Sequence, residues 1–377
     1  MSVKRLFGAV LSLCLAAPLA AQAGPYSNLY VFGDSLSDGG SDLNLSSALN
    51  AISGGAFPLI PAPGASPLGR FSNGFVAVDY LANALGLPLT AHYVTPPFLG
   101  GTTAGNNYAQ GGATSGLVNA SVPGTITLGP NTVATGFKGM TAEITDYTST
   151  HAAADPDAAY ILWSGANDFI HPGSAGVAAG CSSANPIASA ICTAVSNITQ
   201  GVATLAALGA HHIVVPNLPD LGATADSIAG GPVAIAQGHA LTVTFNAALA
   251  QSLGALSTFY IGDIVQFDLY GVFNQILADP YSYGFTNTTM SCLSGSVADA
   301  TSTVTAACAV AGADRYIFWD PIHPTTAAQA IIGQRLAAAF GVPEPSELAL
   351  FGLGLFAFFA APRRSRTHQQ PMAITAA

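Results

Sequence analysis

Leu29-Tyr30-Val31-Phe32-Gly33-Asp34-Ser35-Leu36-Ser37-Asp38 is a short apolar run that breaks directly into a polar turn. That is the pattern of a buried strand ending at a loop, and it puts Ser35 where a strand can expose a nucleophile. Gly-Asp-Ser alone is only a turn sequence. It also lacks the Gly-x-Ser-x-Gly elbow, because Ser37 stands where the second glycine would be. The surroundings carry more weight. Similar apolar runs at Tyr160 to Trp163, His212 to Val215, Phe259 to Ile261 and Tyr316 to Phe318 predict further strands. Helical patterns over Phe75 to Leu85, Thr141 to Thr148, Ile187 to Leu208, Val233 to Leu256 and Thr325 to Phe340 alternate with them. Alternating strand and helix predicts an α/β domain with a parallel sheet covered on both faces. In such folds the loops at the carboxyl ends of the strands hold the site.

Three further segments fall on such loops. Asn107-Tyr108-Ala109-Gln110-Gly111-Gly112-Ala113-Thr114 is a polar loop in which a bare backbone N–H can approach a ligand. Gly165-Ala166-Asn167-Asp168 places an amide after the strand that ends at Trp163, and Asp320-Pro321-Ile322-His323-Pro324 places a carboxylate three residues before an imidazole. Serine, glycine, asparagine and histidine in this order resemble the GDSL or SGNH hydrolases, over about residues 28 to 340. Arg70 to Gly74, Val215 to Asp220 and Tyr283 to Asn287 look like segments of that family's secreted lipase, phospholipase and haemolysin branch. The resemblance implies a flavodoxin-like three-layer α/β/α sandwich and the hydrolysis of carboxylic esters. It assigns the oxyanion donors to the N–H of Ser35, the N–H of Gly112 and the amide of Asn167, with Gly111 as an alternative to Gly112.

The residue types fit that chemistry. A serine hydroxyl needs a base to take its proton as it attacks a carbonyl carbon. His323 is competent as that base and as the acid for the leaving alcohol, and Asp320 can fix its tautomer. Asp168 and Asp34 are expected to order loops by hydrogen-bonding nearby backbone. Ile52 to Gly69, rich in Pro and Gly, either lines the site or is a surface insertion.

Composition excludes several other classes. Of 377 residues only 9 are Lys or Arg and 19 Asp or Glu, and half are hydrophobic. Between residues 24 and 342 only four basic groups face 17 acidic ones, a balance that repels nucleic acid and anionic membrane surfaces. There is no fixed repeat, P-loop, dinucleotide fingerprint or EF-hand, and His211-His212 has no metal-ligand partners at the required spacing. Neither a cofactor nor a metal is expected. Four cysteines follow residue 23. Cys181 with Cys192 and Cys292 with Cys308 are the favoured pairs of three pairings, each bracketing a short Ser/Ala-rich stretch.

The two ends read as addresses. Lys4-Arg5, the apolar run Leu6 to Leu19 and Ala21-Gln22-Ala23 make residues 1–23 a secretory signal peptide. Residues 24–342 form the hydrolase domain. Residues 343–366 resemble a PEP-CTERM sorting signal: Pro343-Glu344-Pro345, an apolar stretch from Leu348 to Ala361, then Arg363-Arg364-Ser365-Arg366. Fourteen apolar residues reach only ~21 Å against ~30 Å of hydrocarbon. Residues 348–361 are therefore expected to touch the membrane transiently, while export and sorting machinery deliver the protein to a bacterial surface or matrix. Residues 367–377 are a short tail. The expected activity is that of an exported serine esterase or lipase acting on a lipid or an acetylated glycan. The alternatives are an acyltransferase of the same family and a non-catalytic matrix protein on the same fold.

Overall fold

The structure, a computed structural model, describes residues 25–342 other than 102 and 104. The signal-peptide and sorting-signal readings fall outside those residues. In chain order the elements begin with β1 (Leu29–Gly33), α1 (Ser41–Ile52), α2 (Ala77–Leu85), β2 (Thr125–Leu128), β3 (Asn131–Ala134) and α3 (Met140–Thr150). Next come β4 (Ala159–Trp163), α4 (Ala166–Ile170), α5 (Pro186–Ala207), β5 (His212–Pro216), α6 (Ala225–Ala229) and α7 (Pro232–Ser257). The last are β6 (Asp263–Phe267), α8 (Leu269–Ala278), β7 (Asn287–Ser291), α9 (Ala306–Ala311), β8 (Tyr316–Phe318) and α10 (Thr326–Ala339).

The central sheet is parallel with strand order β1-β4-β5-β6. Alternation along β1 explains the layers. Phe32 joins a core with α3, α5 and α7, whereas Leu29 and Val31 join another with α2 and α10. Because neighbouring residues of a strand point to opposite faces, buried apolar side chains at both parities require helices on both sides. The result is the expected three-layer α/β/α arrangement. A fifth extended segment flanks β1: Val31 N–H donates to Asn106 O at 3.1 Å, and Tyr108 N–H to Val31 O at 2.8 Å. The order of extended segments is thus 106–108, β1, β4, β5, β6, and the glycine pair at 111 and 112 emerges at a carboxyl end like the other site loops.

The helix boundaries lie close to those read from periodicity, and side chains mark several of them. Asn185 accepts from the N–H groups of Ile187 and Ala188 ahead of Pro186 at the start of α5, and Thr325 accepts from Ala328 N–H at the start of α10. The strand expected at Phe259 to Ile261 is not one. Phe259 and Ile261 are 88% and 86% exposed, and the edge strand is β6, displaced to Asp263–Phe267. An apolar triplet was a poor guide because an edge strand is half solvated and shows alternation instead. Tyr316 to Phe318 is a strand, but it pairs with β7 in a separate two-stranded sheet.

Candidate active site

Gly33 ends β1 at a point where β4 leaves no space. A Cβ built on it would lie 2.1 Å from the carbonyl oxygen of Trp163, so only glycine lets the chain turn there. Two residues later the Oγ of Ser35 lies 2.8 Å from Nε2 of His323. On the other side of that ring, Nδ1 is 2.9 Å from both carboxylate oxygens of Asp320. All three residues are buried.

Asp320 is held more firmly than a lone ring contact would hold it. Its Oδ1 accepts from the N–H of Ile322 at 3.0 Å and of His323 at 2.7 Å, and its Oδ2 from Val297 N–H at 2.9 Å. Burial pushes this carboxyl up, but the His323 ring and the backbone N–H groups outweigh it and leave the group below its ordinary range. Asp320 is thus ionised where it faces the imidazole. The peptide of His323 is fixed as well, because Trp319 N–H donates to His323 O at 2.7 Å.

The segment from Ile52 to Gly69 is ordered and buttresses this corner. Ala65 O accepts from Trp319 Nε1–H at 2.8 Å, and Ala62 N–H donates to Val297 O at 3.0 Å. Cys292 and Cys308 are bonded to each other and pack in the same cluster as Ala65, Val297 and Trp319. Cys181 and Cys192 form the second disulfide, so both favoured pairings are present.

Two of the three donors that the resemblance names, Ser35 and Asn167, line one cleft, and Asn167 differs from the other two in how it is hydrogen-bonded. Ser35 N–H and Gly112 N–H find no acceptor among the described residues. Asn167, at the start of α4, spends one amide hydrogen on Ala113 O at 3.0 Å and keeps the other. Gly111 differs from its neighbour, since its N–H already donates to Asp38 Oδ2 at 3.2 Å. Gly112 adopts φ +76°, and a Cβ there would lie 2.4 Å from Ser121 Oγ. A side chain at 112 would be strained by the backbone and blocked by Ser121.

Several residues that the sequence left without a role hold these donors in place. Asp38 also accepts from the N–H groups of Gly40 and Ser41, each at 2.7 Å, and so ties the start of α1 to the glycine pair. Asn119 Nδ2 donates to Gly111 O at 2.7 Å while its Oδ1 accepts from Ser121 and Val122. Asp168 accepts from Ser115 N–H at 2.9 Å and Ser115 Oγ–H at 2.6 Å, ordering the loop as expected. Asp34 accepts from Leu36 N–H at 3.1 Å. No sequence spacing marks Asn119 or Ser115, because each works through a fold-dependent contact. His212 opens β5, consistent with a strand-start role.

A cleft of about 110 Å³ lies over Ser35, walled by Leu36, Asn167, Ile170, Leu221, Ile322 and His323. It is small, and Thr224, Asp226 and Ser227 add polar groups to its wall beside the Ser35–His323 pair. Among the described residues no group of three or more His, Cys, Asp or Glu is placed to hold a metal ion.

The sequence is similar to several known proteins. A GDSL esterase/lipase of Arabidopsis thaliana is 28% identical over 339 residues, covering 81% of this chain and 85% of its own. Esterase EstA of Pseudomonas aeruginosa is 29% identical over 376 residues; the match covers 90% of this chain but only 50% of EstA. The thermolabile hemolysin of Vibrio parahaemolyticus is 24% identical, with 84% of this chain and 64% of the hemolysin covered. Among solved structures, phospholipase A1 from Streptomyces albidoflavus NA297 aligns over 84% of this chain and 98% of its own, with 18% identity and a TM-score of 0.34. The sequence model of the GDSL-like lipase/acylhydrolase family matches residues 29–336. Since that match runs from the first residue of β1 into the last turn of α10, the chain belongs to the GDSL-like lipase/acylhydrolase family and is a hydrolase of ester bonds.

Proposed function

We propose that the protein is an exported serine ester hydrolase that works through an acyl-enzyme intermediate. The observation that carries this reading is the unbroken line Ser35 Oγ, His323 Nε2, His323 Nδ1, Asp320 carboxylate, with contacts of 2.8 and 2.9 Å. With Asp320 accepting the Nδ1 proton, Nε2 is left unprotonated and aimed at the Ser35 hydroxyl. His323 takes the proton as Oγ bonds to the carbonyl carbon, then gives it to the departing alcohol. The tetrahedral oxyanion is met by Ser35 N–H, Gly112 N–H and the spare Asn167 amide hydrogen. Water enters with His323 again as base and releases the acid.

Export is supported by the signal-peptide pattern over residues 1–23 and by two disulfides, which persist in oxidising compartments. Residues 24–342 are the catalytic domain in this reading. Residues 343–366 address the protein to the cell surface, with 348–361 in the bilayer only during sorting and 367–377 as the tail.

Replacing Ser35 by Ala tests the assignment. Hydrolysis of a p-nitrophenyl ester should vanish and an organophosphonate should no longer label the protein. Retention of most activity would contradict the reading.

A further inference from the structure

Where β1 pairs with the 106–110 segment, a side chain takes the place of one ladder bond. Val31 N–H donates to Asn106 O, Tyr108 N–H to Val31 O and Gln110 N–H to Gly33 O, the slanted pattern of a parallel pair. The same pattern would send Gly33 N–H to Tyr108 O. Glu143 Oε2 accepts that hydrogen instead, at 2.8 Å. Glu143 lies in the first turn of α3 and is fully buried.

A buried carboxyl is costly unless it is paired, and this one has no cation. Among the described residues Glu143 makes no ion pair, and Lys138, just ahead of α3, is engaged with Asp146. The groups around Glu143 are acids: Asp34 after β1, Asp38 in the turn that follows, Asp42 in α1 and Asp146 in α3 itself, together with the Tyr93 phenol. Burial, with Asp34, Asp38 and Asp146, outweighs the Gly33 hydrogen bond and holds the carboxyl well above its ordinary range. A neutral acid there contributes no charge to the site. What it contributes is an acceptor for Gly33.

Gly33 stands two residues before the nucleophile, and the peptide bond that follows it is pinned as well, since Asp34 N–H donates to Trp163 O at 3.3 Å. The start of α3 also grips the loop that carries Gly111 and Gly112. Met140 N–H donates to Thr114 O at 2.8 Å, Thr141 N–H to Gly116 O at 2.9 Å and Thr141 Oγ1–H to Ser115 O at 2.8 Å. Just before the helix, Lys138 N–H donates to Gln110 Oε1 at 2.6 Å. One end of one helix is thus bonded both to the strand that delivers Ser35 and to the glycine loop. We infer that Glu143 is a positioning residue for the nucleophile: through the Gly33 peptide it sets where Ser35 stands relative to His323 and the glycine loop. The inference rests on Ser35 being the nucleophile.

Three variants test it on a soluble p-nitrophenyl ester, with thermal unfolding in parallel. Glu143→Gln keeps an acceptor for Gly33 N–H and cannot ionise, Glu143→Leu fills the space without an acceptor, and Glu143→Asp draws the carboxyl back by one methylene. The Gln variant should stay within about threefold of wild type in kcat, and its pH–rate profile should overlay that of wild type. The Leu and Asp variants should lose about tenfold or more in kcat with KM little changed, because a displaced nucleophile attacks more slowly while the binding groups remain. Labelling of Ser35 by an organophosphonate should slow in the same order. If Glu143→Leu does not fold, Glu143→Asp compared with Glu143→Gln decides the matter. Full kcat in Glu143→Leu or in Glu143→Asp would overturn the inference. So would a loss in Glu143→Gln as large as in Glu143→Asp, which would give Glu143 a role that depends on its charge. Failure of the underlying reading looks different: hydrolysis would then survive Ser35→Ala.

Discussion

Asp320→Asn is nearly isosteric, and the hydrogen bonds around it determine how it must fail. The carboxylate receives four hydrogens, from Val297 N, Ile322 N, His323 N and His323 Nδ1. An asparagine offers one oxygen and one amide. With the oxygen in the Oδ1 position, the Ile322 and His323 N–H groups keep their acceptor, and the amide falls where Oδ2 was. There it opposes Val297 N–H and donates toward Nδ1, in competition with the oxygen left at the Oδ1 position, and so favours the tautomer with the ring proton on Nε2. The reverse orientation is worse, because the amide would then face two backbone donors. In that tautomer His323 donates to Ser35 Oγ and cannot take its proton. In a serine protease triad the same Asp-to-Asn change costs ~10⁴-fold in kcat, or about 5.4 kcal/mol at ~1.36 kcal/mol per decade, and a loss of that order is expected here. Independently, one buried N–H without a partner costs about 1–3 kcal/mol of stability. The assay is kcat/KM on a soluble p-nitrophenyl ester across pH, with thermal unfolding in parallel. Some activity should return at high pH, where hydroxide substitutes for the general base. A variant within about tenfold of wild type at neutral pH would refute the assignment of Asp320.

Other outcomes follow from the same contacts. Asn167→Ala removes a donor used mainly by the oxyanion, so kcat should fall ~10²-fold or more with KM little changed, measured on the same ester. Burial raises Asp168 from 3.8 to about 6 and Asp34 from 3.8 to about 7, so the folded protein holds protons that the unfolded chain releases. Their contribution to stability is therefore present at low pH and lost as pH rises through those folded values, while that of Asp320 is lost only as pH falls below its ordinary range. The Tm should be higher at about pH 5 than at about pH 8. Burial and the adjacent Asp38 push Asp42 well above its ordinary value, so Asp42→Asn should raise the Tm at about pH 8 and flatten that slope. Replacing Cys292 and Cys308 by Ser opens a link across a separation of 16 residues; denaturant unfolding should show a loss of about 3 kcal/mol. Intact-mass analysis of surface protein should show residues 1–23 absent and the tail removed after about Pro345.

The strands that point into the core from both faces were legible because their apolar residues are continuous: Tyr160 to Trp163 is buried throughout in β4. Long helices were legible from periodicity and from the residues at their starts. β6 was misplaced because its alternation is that of a half-solvated edge, while the fully apolar Phe259 to Ile261 belongs to an exposed turn. α1 and α8 went unread. In α1, Ser and Asn between Leu45 and Leu49 dilute the apolar stripe and favour caps and turns by themselves, and α8 is a short run that periodicity cannot separate from a buried strand. Ser35, Asp320 and His323 were singled out because their chemistry falls on loops after strands, and the fold brings those three into hydrogen-bond contact; the donor roles of Gly112 and Asn167 rest on the family resemblance. Asp38 and Asn119 were not assigned, since holding a glycine peptide in position is a property of the folded loop and leaves no spacing to read.

The central claim is that the ester's acyl group resides for a time on Ser35. Acid-quenching the wild-type protein soon after mixing with a p-nitrophenyl ester, followed by mass mapping of its peptides, measures this directly. The account predicts the acyl mass on the peptide containing Ser35, and its disappearance as turnover finishes. Turnover with Ser35 unmodified at every quench time, or the acyl group on another residue, would contradict it.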